Sequence, residues 1–145
     1  MVPLLQKDKE LLEKIQHRFV RFFKDLKDLD YSEHLTRLGL WSLEERRNRA
    51  DLIEVFKIVN GHSALPAETF FKFKVDTRTR GHSRMLLKRH SCRDIQFHFF
   101  SERVINRWNS LPSNAVEATS VNSFKSRLDK VRKTQISFFM DTGSV

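Results

Sequence analysis

The sequence predicts a mainly α domain with a small β-hairpin in its middle. Apolar residues recur at three- and four-residue spacing in five stretches, which is the period of an amphipathic helix. Between them, residues 71–75 alternate apolar and basic side chains, which is the period of a half-buried strand. The chain of 145 residues is 39% hydrophobic with thirteen Phe, enough to bury a core. We therefore expect one domain over residues 1–133, and a tail over 134–145 that follows no pattern and could be disordered.

The first predicted helix runs from about residue 4 to residue 29. Its apolar stripe, which we interpret as the side that faces the core, is Leu12, Ile15, Phe19, Phe22, Phe23 and Leu26. Asp30 with Glu33 three residues later has the pattern of a capping box and predicts a short second helix. Gly39 can end that helix because glycine readily adopts the left-handed conformation.

The third predicted helix has the clearest boundaries in the chain. Ser42 with Glu45 repeats the capping-box pattern, and an apolar side follows at helical spacing. Asn60 and Gly61 then stop the helix, since both residues favour turns.

The alternating segment predicts the first strand of a hairpin. Its residues are Phe71, Phe73 and Val75 on one face and Lys72 and Lys74 on the other. A weaker alternation over residues 84–88 suggests the second strand, with the tip of the hairpin near residues 77–83. The two phenylalanines could stack on bases, but burial is the usual place for Phe on an alternating face.

Helical spacing returns in the last third of the chain. The apolar positions are Phe97, Phe100, Val104, Ile105 and Trp108, followed by Phe124, Leu128 and Val131. Pro112 closes the first of these two helices because proline lacks the N–H that the helical ladder needs. Ser120 is placed to cap the second.

The charge of the chain points to a polyanionic partner, which would be RNA, DNA or their hybrid. The formal net charge is +9, and residues 72–93 carry eight basic side chains against one acidic, whereas residues 1–30 are nearly balanced. The eight are Lys72, Lys74, Arg78, Arg80, Arg84, Lys88, Arg89 and Arg93. Spaced Arg and Lys residues bind phosphate backbones, although a solvated basic loop is the alternative. Arg46 and Arg47 are less specific candidates, because their helix also offers an ion pair between Glu45 and Arg49.

No complete active site, metal site or cofactor motif is predicted. Asp25, Asp28 and Asp30 form the one acidic cluster, but they lie between two predicted helices and are better interpreted as solvated caps than as metal ligands. The spacing of His82, His90, Cys92 and His98 matches no standard zinc module. We therefore expect no enzyme and no cofactor.

The compartment is suggested by the single cysteine and by the charges near the start of the sequence. One cysteine suits a reducing compartment. Residues 1–30 contain no apolar run long enough for a signal peptide or a membrane span. We expect a nuclear or cytoplasmic protein without a membrane partner.

Five phrases, taken in order, resemble the C-terminal part of reverse transcriptases from LINE-type, non-LTR retrotransposons of the jockey-like group. They are residues 35–47 (LTRLGLWSLEERR), 51–61 (DLIEVFKIVNG), 77–83 (TRTRGHS), 99–112 (FFSERVINRWNSLP) and 120–125 (SVNSFK). Each phrase alone is weak, and their common order over residues 12–131 makes the resemblance specific.

The resemblance implies the helical thumb and post-thumb region of an RNA-directed DNA polymerase, which grips template and nascent DNA. The catalytic Tyr-x-Asp-Asp motif of the palm has no counterpart in this sequence. The matching phrases contain residues that suit packing, which are Leu38, Leu40, Ile53, Phe56, Trp108, Leu111 and Phe124. They also contain candidate nucleic-acid contacts at Arg46, Arg47, Arg78, Arg80 and Arg103. The expected function is a non-catalytic nucleic-acid-binding fragment or remnant. The alternatives are a module that docks on a polymerase palm and a transposon relic without function.

Overall fold

The computed structural model describes residues 6–64, 66–75, 81–87 and 104–141. In these residues the chain forms seven α-helices and one short 3-10 helix, so the predicted mainly α fold is confirmed. The α-helices are α1 (Gln6–Val20), α2 (Tyr31–Leu38), α3 (Leu43–Val59), α4 (Ala67–Phe70), α5 (Ile105–Asn109), α6 (Ser113–Val116) and α7 (Val121–Thr134). The 3-10 helix is Lys24–Leu26. The predicted apolar positions Phe97 and Phe100 lie outside the described residues.

The chain divides into two compact units, and the boundary falls inside α3 between Asn48 and Arg49. The first unit holds residues 6–48 and 139–141, and the second holds the described residues from 49 to 138. The sequence pattern predicts one domain and an unpatterned tail. Both stay predictions, because periodicity identifies the apolar side of each helix and not the elements that share a core.

Side-chain caps mark the N-terminal ends of α3 and α7. The Ser42 hydroxyl accepts the Glu45 N–H at 3.2 Å, and the Glu45 carboxylate accepts the Ser42 N–H at 3.5 Å, which completes the predicted capping box of α3. Gly61 follows α3 with a φ of 73°, a left-handed conformation that favours glycine. At the start of α7 the Ser120 hydroxyl accepts the Ser123 N–H at 3.1 Å, so this predicted cap is also confirmed.

The short helix α2 begins and ends where its sequence pattern predicts. Asp30 is its N-cap residue, but the carboxylate accepts the Ser32 hydroxyl at 2.9 Å and makes no capping hydrogen bond. Gly39 has a φ of 65°, and its N–H bonds to the carbonyls of the last turn.

The first helix differs most from its prediction. α1 ends at Val20, and turns and the 3-10 helix cover residues 21–29 of the predicted span. The stripe predicted to face the core is largely in water, and its exposed members are Leu12, Ile15, Phe19, Phe22 and Phe23. α1 instead buries the opposite side, where the Gln16 amide donates to the Trp41 carbonyl at 3.0 Å and the Glu13 carboxylate accepts the Leu43 N–H at 3.2 Å. The prediction was wrong because the backbone groups of Trp41 and Leu43 bond to polar side chains on the less apolar side of α1, and these contacts cover that side.

Aromatic stacking forms the centre of the second unit. The ring of Phe124 on α7 stacks on Phe56 of α3 with centroids 4.3 Å apart, and lies 6.0 Å from the ring of Trp108 on α5. The buried apolar residues of this unit are Leu52, Ile53, Val55, Phe56, Ile58, Phe71, Leu86, Val104, Ile105, Trp108, Leu111, Ala115, Val116, Ala118, Phe124, Leu128 and Val131. Five of the seven predicted packing positions are therefore buried, and Leu38 and Leu40 are half-buried.

The two segments of the predicted hairpin meet at one isolated antiparallel bridge, between Phe73 and Leu86. Its backbone bonds run from the Lys74 N–H to the Met85 carbonyl at 2.9 Å and from the Leu87 N–H to the Lys72 carbonyl at 2.7 Å. No longer strand forms in the part of the chain that the structure describes, and residues 77–80 of the expected tip lie outside it. The hairpin as predicted is not confirmed.

Candidate nucleic-acid interface

The structure describes five of the eleven basic residues that are predicted to contact nucleic acid. They are Arg46, Arg47, Lys72, Lys74 and Arg84. The remaining candidates, Arg78, Arg80, Lys88, Arg89, Arg93 and Arg103, lie outside the described residues. The described candidates belong to two parts of the chain, the antiparallel bridge in the second unit and the first turns of α3 in the first unit.

The antiparallel bridge is anchored to α5 by the side chain of Asn109. The Asn109 side-chain carbonyl accepts the Leu86 N–H, and its amide donates to the Leu86 carbonyl, both at 2.8 Å. One side chain thus satisfies both backbone groups of Leu86, a residue whose side chain is buried in the core. Asn109 belongs to the phrase over residues 99–112, so its part in the resemblance has a structural explanation.

The exposed part of the bridge combines one aromatic ring with two ammonium groups. Phe71 is buried, whereas Phe73 keeps 40% of its surface in water, and Val75 is almost fully exposed. The flanking Lys72 is exposed and Lys74 is half-buried. We call residues 72–74 the bridge surface.

The bridge surface has the composition with which proteins bind single-stranded nucleic acid. Bases stack on exposed aromatic rings, and phosphates pair with nearby cations. The expectation that Phe73 is buried like Phe71 is wrong, because Phe71 is buried whereas Phe73 keeps 40% of its surface exposed. The alternating pattern does not distinguish the exposure of Phe73 from that of Phe71. The lysines on both sides of Phe73 were the feature of the sequence that pointed to an exposed ring.

Arg84 makes hydrogen bonds within the protein. Its guanidinium donates to the side-chain carbonyl of Asn60, just after α3. Its own backbone carbonyl accepts the Trp108 indole N–H at 2.9 Å. A side chain held in this way contributes to packing first, and less of its charge is available to a phosphate.

The two arginines on α3 differ in their surroundings. Arg46 is exposed on the helix. Arg47 makes an ion pair with Asp141 at 2.9 Å. Arg49, which the sequence could pair with Glu45, makes an ion pair with Asp129 at 3.3 Å. Arg46 is thus the better placed of the two α3 candidates for an external phosphate.

Asp141 also binds other groups of the first unit. Lys9 lies 2.7 Å away, and the Asn48 amide donates to the carboxylate at 3.0 Å. Although burial raises the pKa of Asp141, the hydrogen bond and charge of Lys9, the Asn48 amide and the Arg47 charge together lower it to about 2. The carboxylate is therefore ionised at neutral pH and neutralises part of the basic charge around it.

His82 is the buried titratable group beside the bridge. Its Nδ1 accepts the Arg84 N–H at 3.2 Å, which leaves Nε2 to donate to the Trp108 carbonyl at 2.9 Å. Burial lowers the pKa of His82, and the Trp108 carbonyl and the charge of Glu117 offset only part of this effect. The neutral ring is the form that fits both hydrogen bonds.

The free energy of unfolding is expected to fall as the pH drops below about 6.5, because of His82. The unfolded chain binds a proton near the ordinary pKa of 6.5, whereas folded His82 stays neutral to lower pH. The stability that neutral His82 contributes is complete above pH 6.5. It is lost as the pH falls toward the pKa of folded His82, and the free energy of unfolding changes by at most about 1.4 kcal/mol per pH unit. Denaturant unfolding over a pH series measures it, with His82→Gln as the control. The same pH slope in both proteins would contradict the assignment.

Within the described ranges, no group of three or more His, Cys, Asp or Glu side chains is arranged to hold a metal ion. Asp25, Asp28 and Asp30 are exposed there, and His90, Cys92 and His98 fall outside those ranges. None of the helices described is both long and apolar enough to span a bilayer.

The comparisons with known proteins do not extend the resemblance. No protein-family model, curated protein or solved structure matches this chain. The likeness to LINE-type reverse transcriptases therefore rests on the five sequence phrases, and the function has to be argued from the residues themselves.

Proposed function

We propose that this chain binds RNA, DNA or their hybrid without catalysing a reaction, as a fragment or remnant of a retrotransposon RNA-directed DNA polymerase. The observation that carries the proposal is the bridge surface, where the half-exposed ring of Phe73 lies between Lys72 and Lys74. The ring of Phe73 offers stacking, and the long, flexible side chains of Lys72 and Lys74 at the adjacent positions offer phosphate contacts.

The charge distribution supports the same function. The bridge surface begins the segment over residues 72–93, which carries eight basic side chains and one acidic. Contacts of this kind go mainly to phosphates, which look alike in every sequence. The proposed binding is therefore salt-dependent and poorly sequence-specific.

No catalytic step is part of the proposal. Polymerisation requires carboxylates that converge on divalent metal ions, and the sequence contains no Tyr-x-Asp-Asp motif. As a fragment, this chain would hold template and product for a palm in another part of a longer protein. As a remnant, it would bind nucleic acid without a palm.

Replacing Lys72 and Lys74 by Ala is expected to weaken binding to unrelated sequences equally. Each lost phosphate contact should flatten the slope of log affinity against log salt concentration by about 0.9 for a duplex and about 0.7 for a single strand. Phe73→Ala should act mainly on single strands, with a loss of about 1 to 3 kcal/mol if one base stacks there. Fluorescence anisotropy with labelled single strands, duplexes and hybrids over a salt series measures all three effects.

The matched control replaces Lys7 and Lys14, two exposed lysines of α1 in the charge-balanced first part of the chain. Equal losses at both places would show that diffuse charge, and no defined site, explains binding. Arg78→Ala with Arg80→Ala should flatten the salt slope in the same way as the bridge lysines. Absence of binding at low salt would overturn the proposal. Salt-insensitive binding to a polymerase palm that depends on apolar side chains would favour the docking module instead.

A further inference from the structure

An apolar stripe on α1 and the turn after it is left in water. We call it the α1 stripe, and its members are Leu11, Leu12, Ile15, Phe19, Phe22 and Phe23. Ile15 keeps 64% of its surface exposed and Phe22 keeps 80%. The N–H groups of Phe22 and Phe23 bond three residues back, so the two rings continue the helical spiral beyond Val20.

The α1 stripe lies at the upper end of the range of apolar patches on monomers. A fully exposed aromatic side chain offers about 200 Å² and a branched aliphatic one somewhat less, so the six side chains together expose roughly 600 Å². The largest apolar patch of a typical monomer is about 300 to 600 Å². Specific interfaces bury about 600 to 1,000 Å² on each partner, so the stripe by itself reaches the lower end of the range that a stable dimer needs.

We propose that two copies of this chain pair through the α1 stripe, with their α1 helices antiparallel. A two-fold interface must be self-complementary. Leu11 and Phe19 lie one turn on either side of Ile15. An antiparallel pair centred on Ile15 therefore places Leu11 of one copy against Phe19 of the other, with the two Ile15 side chains between these contacts.

The charges along α1 favour the antiparallel direction. The exposed side chains of Lys7 and Asp8 in the first turn balance each other, whereas the exposed side chains of Arg18 and Arg21 lie at the other end. In a parallel pair both arginines would face their own copies, and like charges would repel. In the antiparallel pair the arginines of one copy lie near the charge-balanced first turn of the second copy, and the helix dipoles are opposed.

Sedimentation equilibrium of the full chain without nucleic acid tests the pairing. We expect twice the mass of one chain as concentration rises, including at high salt, because the contact is mainly apolar. Ile15→Glu and Phe19→Glu should each return the mass to that of one chain. Both positions are exposed, so circular dichroism should show unchanged helix content. The control is Ile136→Glu, a change at a still more exposed apolar residue outside the stripe, which should leave the dimer intact.

Cysteine cross-linking tests the direction of the helices. In a Cys92→Ser background, Ile15→Cys should form a disulfide with its copy under mild oxidation, because the two residues meet at the two-fold axis. Phe19→Cys should not, since antiparallel helices separate these copies by about 12 Å along the axis and a disulfide spans at most about 7 Å between Cα atoms. Cross-linking at both positions would overturn the antiparallel arrangement. A mass of one chain at every concentration, or a dimer unaffected by Ile15→Glu, would overturn the interface itself.

Discussion

Trp108→Ala is expected to lower the free energy of unfolding of the second unit by about 3 to 5 kcal/mol. The Trp108 side chain is completely buried, its ring packs against Phe124, and it meets His82 edge-on at 5.7 Å. Its indole N–H donates to the Arg84 carbonyl, which would lose this partner in the mutant. The change therefore creates a cavity and leaves a backbone carbonyl without its hydrogen bond.

Denaturant unfolding followed by far-UV circular dichroism measures this loss. Val75→Ala is the control in the same unit, because an almost fully exposed side chain should change stability by less than about 0.5 kcal/mol. If Trp108→Ala left stability unchanged and instead reduced nucleic-acid binding, Trp108 would be an exposed stacking residue and its place in the core would be wrong.

Phe139→Ala should have an effect of similar size, about 3 to 5 kcal/mol, on the first unit. Phe139 is fully buried although it lies in the segment predicted as an unpatterned tail. Its ring lies 5.1 Å from the ring of Trp41, and its carbonyl accepts the Asn48 amide at 2.7 Å. Removing the ring opens a cavity beside Trp41 and weakens the attachment of the last described residues.

Tryptophan fluorescence during denaturant unfolding reports the loss, because the emission of Trp41 depends on the ring beside it. Ile136→Ala is the matched control, since this residue lies three positions away in the same segment and is 85% exposed. A mutant as stable as the original protein would mean that the segment after α7 contributes nothing to the first unit, and the tail predicted from sequence would be the better description.

Local chemistry explains which parts of the fold could be predicted from the sequence. The start and end of α3 depend on the Ser42 and Glu45 cap and on Gly61, and all the interacting groups lie within one turn of the chain. The Ser120 cap of α7 is equally local. Short-range hydrogen bonds of this kind are encoded in adjacent residues, so no knowledge of the core was needed.

The α1 stripe shows where this reasoning stops. Helical spacing predicted one apolar side, and that side exists, but the structure leaves it exposed and buries Gln16 and Val20 instead. Periodicity identifies a side that can be buried. Whether another element covers it depends on long-range packing, which the spacing does not contain.

For the candidate site, the order of the residues is enough to establish the basic charge, its concentration over residues 72–93 and the position of Phe73 between two lysines. Which of these groups meet water depends on the folded chain. Arg84 donates to Asn60, and Arg47 pairs with Asp141, 94 residues further along the chain. Such partners meet only after the chain has folded, because a charge selects its partner by distance in space and not by distance in sequence.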